Sequence, residues 1–82
     1  MKTFTAACVQ NHAQNDISAN LPIVRSLIRE AANEKADFIA LPECVSLMEP
    51  DKEALEAKAP EEKSHPFLPM YEEEARPSGA WI

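Results

Sequence analysis

The sequence predicts an α/β fold, an N-terminal βαβ portion followed by a further helix, and three observations predict it. Residues 3–9 (TFTAACV) form a short, nearly continuous apolar run. Ile17, Leu21, Val24, Ile28 and Ala31 then recur at steps of 4, 3, 4 and 3, the spacing of one helix face. Phe38 to Leu41 (FIAL) is a second short apolar run. Strand, helix and strand in that order make a βαβ unit, with a right-handed crossover expected.

The first strand is expected over residues 3–9. An apolar run without alternation suits a strand buried on both faces of a parallel sheet, and Cys8 inside it reads as a small buried hydrophobe. The helix is expected over 17–34. Asp16 and Ser18 are both suitable N-caps, Leu27 and Ala32 widen the apolar stripe, and Arg25, Arg29, Glu30 and Glu34 fall mainly elsewhere. Pro22 limits where this helix can start, because proline is tolerated near the first turn. The second strand is expected over 38–42, ending at Pro42, which cannot donate to a ladder.

Residues 49–65 read as a charged, solvated loop with a helical turn around Lys52–Lys58. A second helix is expected over 66–76, burying Phe67, Met70 and Tyr71, with Leu68 on the same side. Pro77, Ser78 and Gly79 should end it. Ala80-Trp81-Ile82 then reads as the start of a third strand.

The 82 residues carry 14 acidic and 8 basic side chains, a net charge of −6. That balance argues against nucleic acid as a partner, since no basic stripe exists to displace counterions. No apolar run approaches the roughly 18 residues of a membrane span. The first apolar run is too short for a secretory h-region and is followed by Gln10, Asn11 and His12. The expected location is therefore the cytoplasm, with both cysteines reduced. A complete domain of this mass exposes roughly 4,900 Å². A complete small α/β domain usually spends several glycines on turns, and this chain has one glycine against seven prolines. The expectation is that residues 1–82 are one piece of a larger domain.

In α/β folds, chemistry gathers beyond the carboxyl ends of parallel strands. Here that position reads Pro42-Glu43-Cys44. A carboxylate there, flanked by Leu41 and Pro42, can be held rigid and partly shielded from water, as a general base requires. The plainer alternative is a surface glutamate after a strand.

These residues also carry a resemblance. Thr5-Ala6-Ala7-Cys8-Val9-Gln10, then Asn20 in an amphipathic helix, then Ala36-Asp37-Phe38-Ile39-Ala40-Leu41-Pro42-Glu43 resemble the opening of the carbon–nitrogen hydrolase (nitrilase) superfamily. The Leu-Pro-Glu-x-x-x-x-Met stretch ending at Met48, and the later helix running into Gly79-Ala80-Trp81-Ile82, look most like the branch that includes omega-amidase and deaminated-glutathione amidase.

The resemblance implies an αββα sandwich, incomplete in this chain, and a Glu–Lys–Cys triad. It places Glu43 as the general base and brings no cofactor and no metal. The implied substrate is a small amide or nitrile, and the implied full-length enzyme is a homo-oligomer. No lysine is carried over, because Lys52, Lys58 and Lys63 match no catalytic motif of the family. Cys44 is not taken as the nucleophile. Adjacent residues leaving a strand point apart, whereas a base must lie about 3 Å from its nucleophile. With a base but neither lysine nor nucleophile, the chain alone is expected to be inactive. The alternative is a non-catalytic remnant or an interaction module with an unpaired sheet edge.

The remaining candidates read as structural. Cys8, His12, Cys44 and His65 have no common zinc spacing. His12 and His65 read as loop residues, Tyr71 and Trp81 as packing residues, and Met48, Met70 and Phe67 as gap-fillers.

Overall fold

A computed structural model describes residues 2–82. It has two three-residue strands, β1 (Ala6–Cys8) and β2 (Phe38–Ala40), and three α-helices, α1 (Ile17–Asn33), α2 (Lys52–Lys58) and α3 (Phe67–Ser78). A 3₁₀ turn, Glu62–Ser64, lies between α2 and α3. The class is α/β.

The strands pair in parallel, with Ala6 opposite Phe38, Ala7 opposite Ile39 and Cys8 opposite Ala40. The ladder continues at Val9, whose N–H donates to the Ala40 carbonyl at 2.9 Å. On the other edge of β2, Trp81 forms an isolated parallel bridge with Phe38. Ile39 N–H donates to Trp81 O at 2.7 Å and Trp81 N–H to Asp37 O at 2.9 Å. β2 is thus the central line of the sheet.

α1 starts where its cap dictates. The Asp16 carboxylate accepts from Ser18 N–H at 3.0 Å and from the Ser18 hydroxyl at 2.7 Å. These two bonds hold the Asp16 carboxyl below the usual carboxylate range. Pro22 sits inside the helix rather than in its first turn. It is tolerated because Ser18 and Pro22 lie on the exposed side, where water can take over the orphaned Ser18 carbonyl.

α3 runs further than expected. Pro77 and Ser78 belong to its last turn, and the helix ends at Gly79, whose φ of 69° is the left-handed C-terminal conformation. Ser78 explains the extension. Its hydroxyl lies 2.9 Å from the Glu74 carbonyl and 3.1 Å from that of Ala75, and it accepts from Ala80 N–H at 3.1 Å.

The core joins α1, α3 and one face of the sheet: Val9, Val24, Ile28, Ala31, Ala36, Ile39, Phe67, Met70 and Ala80. Phe67 meets the rings of His65 and Tyr71 edge-on, with centroids 5.7 and 5.8 Å away. Leu68, expected on the buried side, is exposed.

The opposite face of the sheet overturns the expectation of burial on both sides. Phe4, Ala6, Cys8, Phe38 and Trp81 are all exposed. Cys8 is therefore not a core residue in this chain. Side chains alternate along a strand, so Ala7 and Ile39 turn toward the helices while their neighbours turn away, and the helical layer covers one face. The molecule exposes 6096 Å², well above the roughly 4,900 Å² of a self-contained domain of this mass.

Candidate functional site

β2 delivers Glu43 to the point marked in the sequence. The strand ends at Ala40, Leu41 and Pro42 are half-buried, and Glu43 and Cys44 occupy a turn immediately after. The expected shielding of Glu43 is not found, since its side chain is exposed. The turn carries it past the last rung of the ladder, beyond the core between α1, α3 and the sheet.

Cys44 is also exposed and has φ +55°. A non-glycine residue in the left-handed region costs on the order of 1–2 kcal/mol and persists where its surroundings fix it. Those surroundings lie just downstream: Val45 packs against the core and Leu47 is buried.

The loop after β1 fixes the same turn through polar contacts. Asn11 Nδ2 donates to the Val45 carbonyl at 3.2 Å. Asn20, from the first turns of α1, is 1% exposed. Its Oδ1 accepts from Gln14 N–H at 2.8 Å, and its Nδ2 donates to the carbonyls of Gln14 and Ser46, each at 2.9 Å. Met48 N–H closes the network on the Gln14 carbonyl at 3.0 Å. The loops following the two strands are thereby laced together behind Glu43. Asn11 Oδ1 is buried without a hydrogen-bond partner.

In the sequence Asn20 stands out as part of a motif, with no bonding role attached. The signal was its position. Asn20, Val24, Ile28 and Ala31 are the buried residues of α1, so a polar side chain stands at one place in an apolar stripe. A buried amide requires partners.

The same signal marks Glu74, which follows Phe67 and Met70 on the buried face of α3. Arg29 Nε donates to Glu74 Oε1 at 2.7 Å and Arg29 Nη2 to Oε2 at 3.1 Å. Arg25 reaches Glu74 at 3.4 Å and Glu73 at 3.0 Å. The Arg29 hydrogen bonds hold the Glu74 carboxyl below the usual range against a smaller opposing effect of burial. Glu49 is held low in the same way by Lys58, with which it pairs.

Two open clefts of about 730 Å³ flank the molecule. One is bordered by Arg25, Arg29 and Glu74, the other by Ile17, Leu21 and Lys58. Neither is lined by Glu43 or Cys44. They are not the reaction centre implied by the motif, because the first is an ion-pair seam and the second the flank of a helix cap. His12 is exposed and His65 is half-buried, the latter accepting at Nδ1 from Phe67 N–H at 3.2 Å. Among the described residues no three His, Cys, Asp or Glu side chains converge as metal ligands. No described helix is long and apolar enough to cross a membrane.

The family model of the carbon-nitrogen hydrolases matches residues 5–81. The chain belongs to the carbon–nitrogen hydrolase family. Comparison with curated proteins and with solved structures returned no match. The matched stretch runs from the residue before β1 to the Trp81 bridge. It includes both strands, the Asn20 network and the turn bearing Glu43.

Proposed function

We propose that this chain is the N-terminal part of an amidase, of the branch that includes omega-amidase and deaminated-glutathione amidase. It would cleave the non-peptide C–N bond of a small carboxylated amide, with Glu43 as general base. The observation that carries this reading is the family match over residues 5–81 together with the position of Glu43 in the turn after β2. The exposed apolar face bearing Phe4, Phe38 and Trp81 suits the inner surface of an αββα sandwich, where a second sheet would cover it. The setting would be a cytoplasmic homo-oligomer.

In the chemistry the family implies, Glu43 accepts the thiol proton of a cysteine nucleophile. The thiolate adds to the amide carbon and the C–N bond breaks. Ammonia leaves with a proton returned by Glu43. Water, deprotonated by Glu43, then hydrolyses the thioester, releasing the carboxylic acid and restoring the thiol. The triad's lysine would stabilise the oxyanion. Neither it nor the nucleophile is assigned to Lys52, Lys58, Lys63, Cys8 or Cys44.

The test is a chimaera in which residues 1–82 replace the matching segment of an active amidase, assayed by ammonia release from a dicarboxylic acid monoamide. General-base assistance contributes about 10²–10⁴-fold, so Glu43→Gln should lower kcat by that order, while Cys44→Ser should cost far less. Near-normal turnover of Glu43→Gln, or abolition by Cys44→Ser, would overturn the assignment.

A further inference from the structure

We infer that Asn20 is the positioning residue for the turn that carries Glu43, a role that rests on the reading of Glu43 as the base. Glu43 is exposed, so its placement depends on the backbone beneath it. Upstream, that backbone is held at the Ala40 carbonyl by Val9 N–H. Downstream, it is held at the carbonyls of Val45 and Ser46 by the amides of Asn11 and Asn20. Two of the anchoring groups are thus side-chain donors, at positions two and three residues past Glu43.

Asn20 differs from Asn11 in three ways. It is almost fully buried, all its bonds are 2.8–2.9 Å, and it binds both loops at once through Gln14 and Ser46. Its backbone belongs to α1, whose next buried residues, Val24 and Ile28, are fully enclosed in the core. The clamp therefore ties the Glu43 turn to the helix whose core residues are fully removed from water. An amide is required for this. Asn20→Asp keeps the acceptor for Gln14 N–H but replaces the two-bond donor with an oxygen facing two carbonyl oxygens. The left-handed backbone at Cys44 lies between Glu43 and these anchors. Loosening the clamp gives that residue a route back to commoner conformations, and Glu43 moves with it.

A displacement of about 1 Å at a reacting group costs on the order of 10²-fold in rate. In the amidase chimaera, Asn20→Asp and Asn20→Ala should lower kcat by roughly 10- to 100-fold and leave KM close to its starting value. In the Glu43→Gln background the same changes should have little further effect, because there is no base left to position. In the 82-residue chain, Asn20→Asp should accelerate amide hydrogen exchange at Met48, whose N–H donates to Gln14, while Ile28 in the middle of α1 keeps its protection.

Three results would overturn the inference: full kcat in both Asn20 variants, effects of Asn20 and Glu43 changes that multiply in the double variant, or Met48 exchange unchanged by Asn20→Asp. Full activity in Glu43→Gln is a different result. It removes the base assignment itself, and the claim that Asn20 serves that base goes with it.

Discussion

The helix seam between α1 and α3 and the turn that carries Glu43 are held by different physics. At the seam, Val24, Ile28, Phe67 and Met70 are almost wholly removed from water, and the Arg25, Arg29 and Glu74 ion pairs close its edge. At the turn, the side chain of interest is exposed and the backbone hangs on amide donors from Asn11 and Asn20. What stabilises the chain and what orients Glu43 are therefore different sets of contacts. Apolar burial builds the platform and is roughly indifferent to orientation. Hydrogen bonds, which weaken steeply with angle, set the direction in which the platform presents Glu43.

Breaking the seam should have the largest effect on stability. Phe67→Ala removes a fully buried ring and two edge-to-face contacts. Losses of this kind cost about 3–5 kcal/mol. In the chimaera that should lower the melting temperature more than any other change considered, checked by thermal denaturation followed by circular dichroism. In the chimaera, kept below its melting temperature, kcat should be unchanged.

A smaller effect should follow from the ion pairs. Charge-assisted hydrogen bonds contribute about 1.5–3 kcal/mol. The Arg29 side chain is 60% exposed, and solvent screening reduces its share. Glu74→Gln should therefore cost about 1 kcal/mol, read from the shift in urea midpoint. The pH dependence has a definite sign. The carboxyls of Glu74, Glu49 and Asp16 are held below their ordinary values of 4.5, 4.5 and 3.8. The unfolded chain therefore takes up protons before the folded one. Their contribution is complete above about pH 4.5 and is lost as pH falls through the lowered values. Urea midpoints measured between pH 7 and pH 3 should fall on the acid side, and Glu74→Gln should flatten that fall.

The smallest effect sharpens the contrast at the end of α1 nearest the turn. Asp16→Ala removes the cap formed with Ser18, an exposed cap that contributes less than the partly buried Glu74 pairs. Asn20, four residues on, keeps its own bonds. Stability should fall slightly while Met48 retains its exchange protection.

What was legible in the sequence follows the same division. The step of 4, 3, 4 and 3 through Ile17, Leu21, Val24, Ile28 and Ala31 marks a helix because burial imposes that period, and α1 spans Ile17–Asn33. The apolar runs locate both strands but overstate their lengths. β1 is Ala6–Cys8 and β2 is Phe38–Ala40. The same runs imply two-sided burial, yet Cys8 and Phe38 are exposed. An apolar run records what a strand can pack against, not what this chain supplies. The position of Glu43 after β2 was legible from Leu-Pro-Glu. The lacing of the two loops was not, because contacts between residues 11 and 45 or 20 and 46 leave no periodic trace. Only the polar intruders in apolar stripes, Asn20 and Glu74, hint at such partners.

The proposed role of Glu43, chemical and without support to the fold, is tested by turnover and melting of Glu43→Gln measured on the same chimaera preparation. A base at this position gives a fall in kcat of about 10²–10⁴-fold with the melting temperature unchanged, the reverse of Phe67→Ala. Near-normal turnover, or a loss of activity that merely follows a lowered melting temperature, would contradict it.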